Sequence, residues 1–204
     1  MNETRELDST AEKIVQAAER LFAEKGYAAV SVRQITKAAG ISNVGAVSYY
    51  FGGKRELYLH ILRAHFRRVQ GWAKKMQVTA TSPEEQLKYV IDSIRMTHRR
   101  SPYTVKLLFR EMEGSSEFFP EIEENVVLMQ QISEEIIRRG IKDGVFRPDL
   151  DPAALTLVLH SIAQFVFLMP NFSKSILQGE EEMDAYFEQA LDCFFRGVLD
   201  GNHG

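Results

Sequence analysis

The segment SVRQITKAAGISNVGAVSYYFGGKREL, residues 31–57, limits what this chain can fold into more than any other stretch. Val32, Ile35 and Ala39 recur at helical spacing, Gly40 interrupts the pattern, and Val47 and Phe51 resume it. The pattern predicts two short helices joined by a glycine turn, with Lys54 opening a further helix. The second short helix is too short to bury itself and carries Ser42, Asn43, Ser48, Tyr49 and Tyr50 on its other faces. Such a surface suits contact with something polar. A helix-turn-helix places a recognition helix of this kind in the major groove of DNA. The competing reading is a small helical subdomain with ordinary surface polarity.

Charge favours the first reading. The net charge of -3 conceals a segregation: residues 1–75 carry 13 Lys and Arg against 7 Asp and Glu, the remainder 12 against 21. A basic end on an acidic body suits a module that meets phosphates joined to one that does not. The apolar and charged fractions, 45% and 26%, belong to a globular protein, and 204 residues suffice for one domain or two small ones. The longest apolar run, at 157–169, is broken by His160, Ser161 and Gln164, so no membrane span is expected. The polar start MNETRELDSTAEK does not read as a secretory signal. The single cysteine, Cys193, excludes an intrachain disulfide and points to the cytoplasm.

Helical punctuation runs along the whole chain, predicting an all-α fold of about nine helices with no strand pattern. Ser9 and Glu12 have capping-box spacing ahead of Ile14, Ala18, Leu21 and Phe22, and Gly26 stops that helix. Ser31 and Gln34 repeat the device, and Ser42 is placed to cap the recognition helix. A long helix runs from Lys54 past Trp72 to Met76. Ser82-Pro83, Ser101-Pro102 and Asp151-Pro152 each pair a capping side chain with proline at the first helical position. Pro120 opens another helix, Gly114 and Gly144 close helices, and Pro170 follows the end of the apolar 152–169 segment.

With the helix-turn-helix at 31–51, the long helix after it and a helical remainder, the chain resembles the TetR family of transcriptional regulators. AAERLFAEKGY, SVRQITKAAGIS and YYFGGKRELY carry the resemblance, which is specific over about residues 10–62. SNVGAVSYYF departs from the family pattern in having more residues between the cap serine and the aromatic run. The segments LLFREME and RRGIKDGVFRPDLDP are similar to a CerR- or CecR-like subgroup. The resemblance implies a homodimeric bacterial repressor of two parts. Residues 1–55 form a DNA-binding domain that reads a palindromic operator. Residues 56–204 bind a small inducer and dimerise. Inducer binding would favour a conformation with the heads wrongly separated, coupled through the long fourth helix.

On that reading Arg33 contacts a phosphate, the alternative being a solvated arginine. Asn43 is better suited than Ser42 to read a base edge, because its amide can bond adenine in bidentate fashion. Val44 and Ala46 can meet thymine methyl groups, and Gly45 either permits close approach or is merely a poor helix former. Tyr49 and Tyr50 are adjacent, so one packs and one points outward; the resemblance implies that Tyr49 donates to a phosphate and Tyr50 shares the task. Lys54 and its helix N-terminus clamp the same phosphate.

The second part is less legible. Phe66, Met96, Phe109, Met129 and Phe167 are candidates for an apolar ligand pocket, with plain core as the alternative for each. His98, Arg110, His160 and Gln164 are polar groups set among apolar ones. Arg110 either pairs with Glu111 or Glu113 or faces a carboxylate ligand, and His160 fits a pocket or an interface. Leu155, Val158, Leu159 and Ile162 on one helix, with Phe187, Leu191 and Phe194 on another, offer apolar faces for a four-helix dimer interface. The alternative is burial inside one subunit.

Catalysis finds little support: there is no GxSxG elbow, Walker loop or GxGxxG after a strand. The histidines at 60, 65, 98, 160 and 203 include no helical pair suited to a metal, and no cofactor is expected. A helical adaptor, or a nucleoid-associated regulator acting through a protein partner, is the remaining rival.

Overall fold

The computed structural model describes residues 2–114 and 116–199, without the side chains of 2–8; His203 lies outside them. All regular elements there are helical, apart from one isolated antiparallel bridge between Phe146 and Leu199. Ten α-helices are present among the described residues: α1 Asn2–Lys25, α2 Val32–Ala38, α3 Ala46–Phe51, α4 Lys54–Thr79, α5 Pro83–Arg100, α6 Pro102–Met112, α7 Glu123–Lys142, α8 Pro152–Leu168, α9 Pro170–Lys174 and α10 Glu180–Val198. None is long and apolar enough to cross a membrane.

Several helix ends follow local chemistry. Gln34 N–H donates to Ser31 Oγ at 3.3 Å while Ser31 N–H donates to Gln34 Oε1 at 2.8 Å, closing the predicted capping box. The hydroxyl of Ser82 accepts from Glu85 N–H, and the carboxylate of Asp151 from Ala154 N–H.

Three expectations about helix ends are corrected and a fourth is extended. Helix α1 starts at Asn2, so Ser9 lies inside it and not at its cap; the upstream segment ETRELD is itself rich in good helix formers. Ser101 makes no side-chain cap. Pro120 sits in a 3₁₀ turn at Phe119–Glu121, ahead of α7. Pro170 opens the five-residue helix α9 as well as following α8, because proline's fixed φ suits a first helical position. That short helix accounts for the tenth.

Contacts divide the chain into two units, one of residues up to Arg68 with Ser101–Glu124, the other of Val69–Arg100 with Asn125 onward. The first buries Ile14, Ala18, Phe22, Ile35, Val47, Leu57 and Tyr58. Its centre is aromatic: Phe22, Tyr27 and Phe118 all lie within 5.0 Å of Tyr58, ring centre to ring centre. The second unit has one core drawn from Leu87, Ile91, Ile137, Phe146, Leu159, Ala163, Phe187 and Phe195.

Candidate nucleic-acid interface

Helix α2 ends in a hydrogen-bonded stop. Gly40 takes φ +70, Gly40 N–H donates to Lys37 O at 3.2 Å, and Ile41 N–H to Thr36 O at 2.8 Å. This is the Schellman pattern, which needs a left-handed residue that glycine supplies without strain. The next turn is closed by Asn43, whose Oδ1 accepts from Gly45 N–H at 2.8 Å. Asn43, and not Ser42, therefore organises the start of α3, and regular helix begins only at Ala46.

Helix α3 is anchored by Val47, fully buried, and by Ala46. The burial of Ala46 corrects the expectation that its methyl meets thymine. Ser42, Asn43, Val44, Gly45, Ser48 and Tyr49 are exposed, Tyr49 at 75%, and Arg33 is exposed on α2. Tyr50 is half-buried with its ring edge-on to Tyr49, centres 5.0 Å apart. The adjacent tyrosines thus divide as one outward and one packed.

Lys54 is not a free cation at a helix tip. Its Nζ donates to Tyr27 O at 3.0 Å and Val30 O at 2.9 Å and lies 4.1 Å from the Tyr27 ring centre. Two of its three protons tie the start of α4 to the α1–α2 connection. Sequence spacing gives no hint of this tie, because it spans 24 and 27 residues.

The first unit also holds polar ties that sequence reading missed. Thr104 Oγ1 donates to Glu19 at 3.0 Å, where burial raises the Glu19 carboxyl above its usual range. Arg110 donates to Phe22 O at 3.4 Å, capping the end of α1, and makes no ion pair with Glu111 or Glu113 among the described residues. Tyr58 and Ser116 both donate to the buried Glu111 carboxylate, and burial together with that acceptor raises the Tyr58 hydroxyl. Phe66 and Phe109 belong to this unit too.

In the second unit His98 stacks on Phe167 with centres 4.0 Å apart and planes 8° from parallel. His160 Nε2 lies 3.0 Å from Ser133 Oγ, and its Nδ1 3.1 Å from Gln164 Nε2. His160, Gln164 and Phe167 share one half-buried stripe of α8; Met129 is half-buried and Met96 is 43% exposed. Burial lowers the His98 imidazole from 6.5 to about 4. Between those values the unfolded chain binds the extra proton, so stability is full above 6.5 and falls as pH drops toward 4. The loss by pH 5 is expected to be about 2 kcal/mol. Melting curves of the parent and His98→Gln should diverge over this range; parallel pH profiles would show that the imidazole titrates alike in the folded and unfolded chain.

The expected interface list needs correction. Leu159, Phe187 and Phe194 are buried in their own unit's core, and Leu155, Ile162 and Leu191 pack partly against it. Only Val158 of that list is exposed; the outward apolar groups of α8 are Leu157, Val158, Phe165 and Leu168. Helix α8 is apolar nearly all round, so periodicity does not say which stripe turns inward.

Two family profiles match the chain: "Bacterial regulatory proteins, tetR family" over residues 14–61 and "Tetracyclin repressor-like, C-terminal domain" over 83–191. The chain is 29% identical over 202 residues to the probable HTH-type transcriptional regulator YttP of Bacillus subtilis (strain 168), 94% of each being covered. Its fold matches that of the ketosteroid transcriptional regulator KstR2 of Mycobacterium tuberculosis with a TM-score of 0.76 at 21% identity, covering 93% of this chain and 95% of that one. It also matches AibR, solved with isovaleryl coenzyme A and operator DNA, with a TM-score of 0.65 at 18% identity, covering 78% and 85%. The exposed tip of α3, capped and anchored as above, sits within the first of these matches. The chain belongs to the TetR family of DNA-binding transcriptional regulators and is not an enzyme.

Proposed function

We propose that this chain is a ligand-responsive repressor that binds a palindromic operator as a homodimer in the cytoplasm and is released by a small-molecule inducer. Residues 1–55 carry the reading surface; residues 56–204 carry ligand response and dimerisation. The observation that bears most weight is the exposed group Ser42, Asn43, Val44, Gly45, Ser48 and Tyr49, set around a turn closed by Asn43 and followed by the anchored Lys54. Arg33, Ser42, Ser48, Tyr49, Tyr50 and Lys54 supply donors for phosphate oxygens, while Asn43, Val44 and Gly45 face base edges. The half-buried stripe of His160, Gln164 and Phe167, with His98 and Met129, is where an inducer would be read within the second unit. The outward stripe of α8 supports self-association. AibR, captured with both an acyl-coenzyme A and operator DNA, supports the pairing of the two ligand classes.

Selection of bound sequences from random DNA tests the proposal. It should return a palindrome whose half-sites lie about 34–36 Å apart or slightly more. Light scattering should give a dimer. A monomer that ignores every duplex at low salt would end it. Asn43→Ala is expected to change preference at one base position, and to cost about 1 kcal/mol of head stability through the lost cap. A uniform loss across all sequences would confine Asn43 to closing the turn.

A further inference from the structure

We propose that Arg55 is a further phosphate-contacting residue of the DNA interface, held in reserve by an ion pair with Glu121. The proposal rests on the DNA-binding reading above. Arg55 follows Lys54 in the first turn of α4, directly after the glycine pair that ends α3. Its half-exposed guanidinium lies 3.0 Å from Glu121 Oε1 and 3.2 Å from Glu56 Oε1, over the face of Phe118. Arg63 completes the group, 2.8 Å from Glu121 Oε2 and 3.9 Å from Glu56 Oε2.

Two cations and two anions leave this patch without net charge at the point where α4 begins. Hydrogen bonds from Arg55 and then Arg63 hold the Glu121 carboxyl below its usual range, so it stays ionised at neutral pH. Exposed pairs of this kind are weak, and a phosphate is a strong bidentate partner for a guanidinium. Glu121 therefore competes with DNA for Arg55. Its position matters because it belongs to the 3₁₀ turn, 66 residues along the chain from Arg55. The charge that α4 presents to a duplex is set by a residue outside the helix-turn-helix, and displacement of that turn would alter it.

Glu121→Gln in the full chain tests this, using a labelled mixed-sequence duplex of about 30 base pairs, long enough for two half-sites one turn apart. Affinity is expected to rise about three- to tenfold at low salt, with the salt slope steeper by about 0.9. The gain should vanish in Glu121→Gln/Arg55→Ala. Overlapping melting curves confirm that folding is intact. A gain that survives removal of Arg55 would be a field effect of the lost carboxylate and would overturn the assignment, as would unchanged affinity and slope. Failure of the parent chain to bind any duplex would instead remove the DNA-binding reading, and this proposal with it.

Discussion

Lys54→Ala weakens duplex binding by roughly ten- to a hundredfold, alike on every sequence, and flattens the salt slope by about 0.9. Two losses combine in that result. The ammonium's charge disappears from the phosphate. Tyr27 O and Val30 O, part-buried, also lose the donor that ties them to the start of α4. Tyr27 O keeps the Val30 N–H at 3.3 Å, so the cost of a lost partner, about 1–3 kcal/mol, falls on Val30 O, and the contact with the Tyr27 ring adds to the loss. Melting and titration separate the two roles. A drop in melting temperature with the slope unchanged would mean that Lys54 positions the head and touches no DNA. A flatter slope with unchanged melting would mean that the two carbonyl bonds contribute little.

Gly140→Ala destabilises the second unit by about 2–3 kcal/mol or more. A Cβ built on Gly140 falls 2.2 Å from Phe146 Cδ2 and 2.3 Å from Cε2, far inside contact distance. The ring has little freedom to yield: Phe146 is 1% exposed and part of the unit's core. Its backbone is fixed as well. Val145 and Phe146 N–H both donate to Gly140 O, at 2.9 and 3.0 Å, and Arg147 N–H donates to Val198 O at 2.9 Å. Urea unfolding followed by circular dichroism measures the effect, and Phe146→Leu in the alanine background should recover part of it. A loss below about 0.5 kcal/mol, the range of neutral surface changes, would show that the 140–146 turn shifts freely.

How far the sequence could be read depended on the distance an interaction spans. The Ser31–Gln34 box and the Gly40 stop connect groups three to five residues apart, and both were visible in the order of residues. Asn43 shows how narrow that window is. Ser42 and Asn43 are both capping residues, and only backbone geometry decided that Asn43 closes the turn while Ser42 makes no cap.

By itself the sequence determined that the chain is helical, that residues 31–57 form a helix-turn-helix with a polar and aromatic tip, and that the basic charge lies at that end. Each follows from periodicity, capping or composition, which act locally or by summation. The tertiary structure alone decided which stripe of the nearly all-apolar α8 turns inward, why Arg110 ends up capping α1, and where Lys54 and Arg55 place their charges. Those outcomes depend on partners from 24 to 88 residues away. Residue spacing along a chain carries no record of such partners, because burial and close approach are settled only when whole helices compete for the same core.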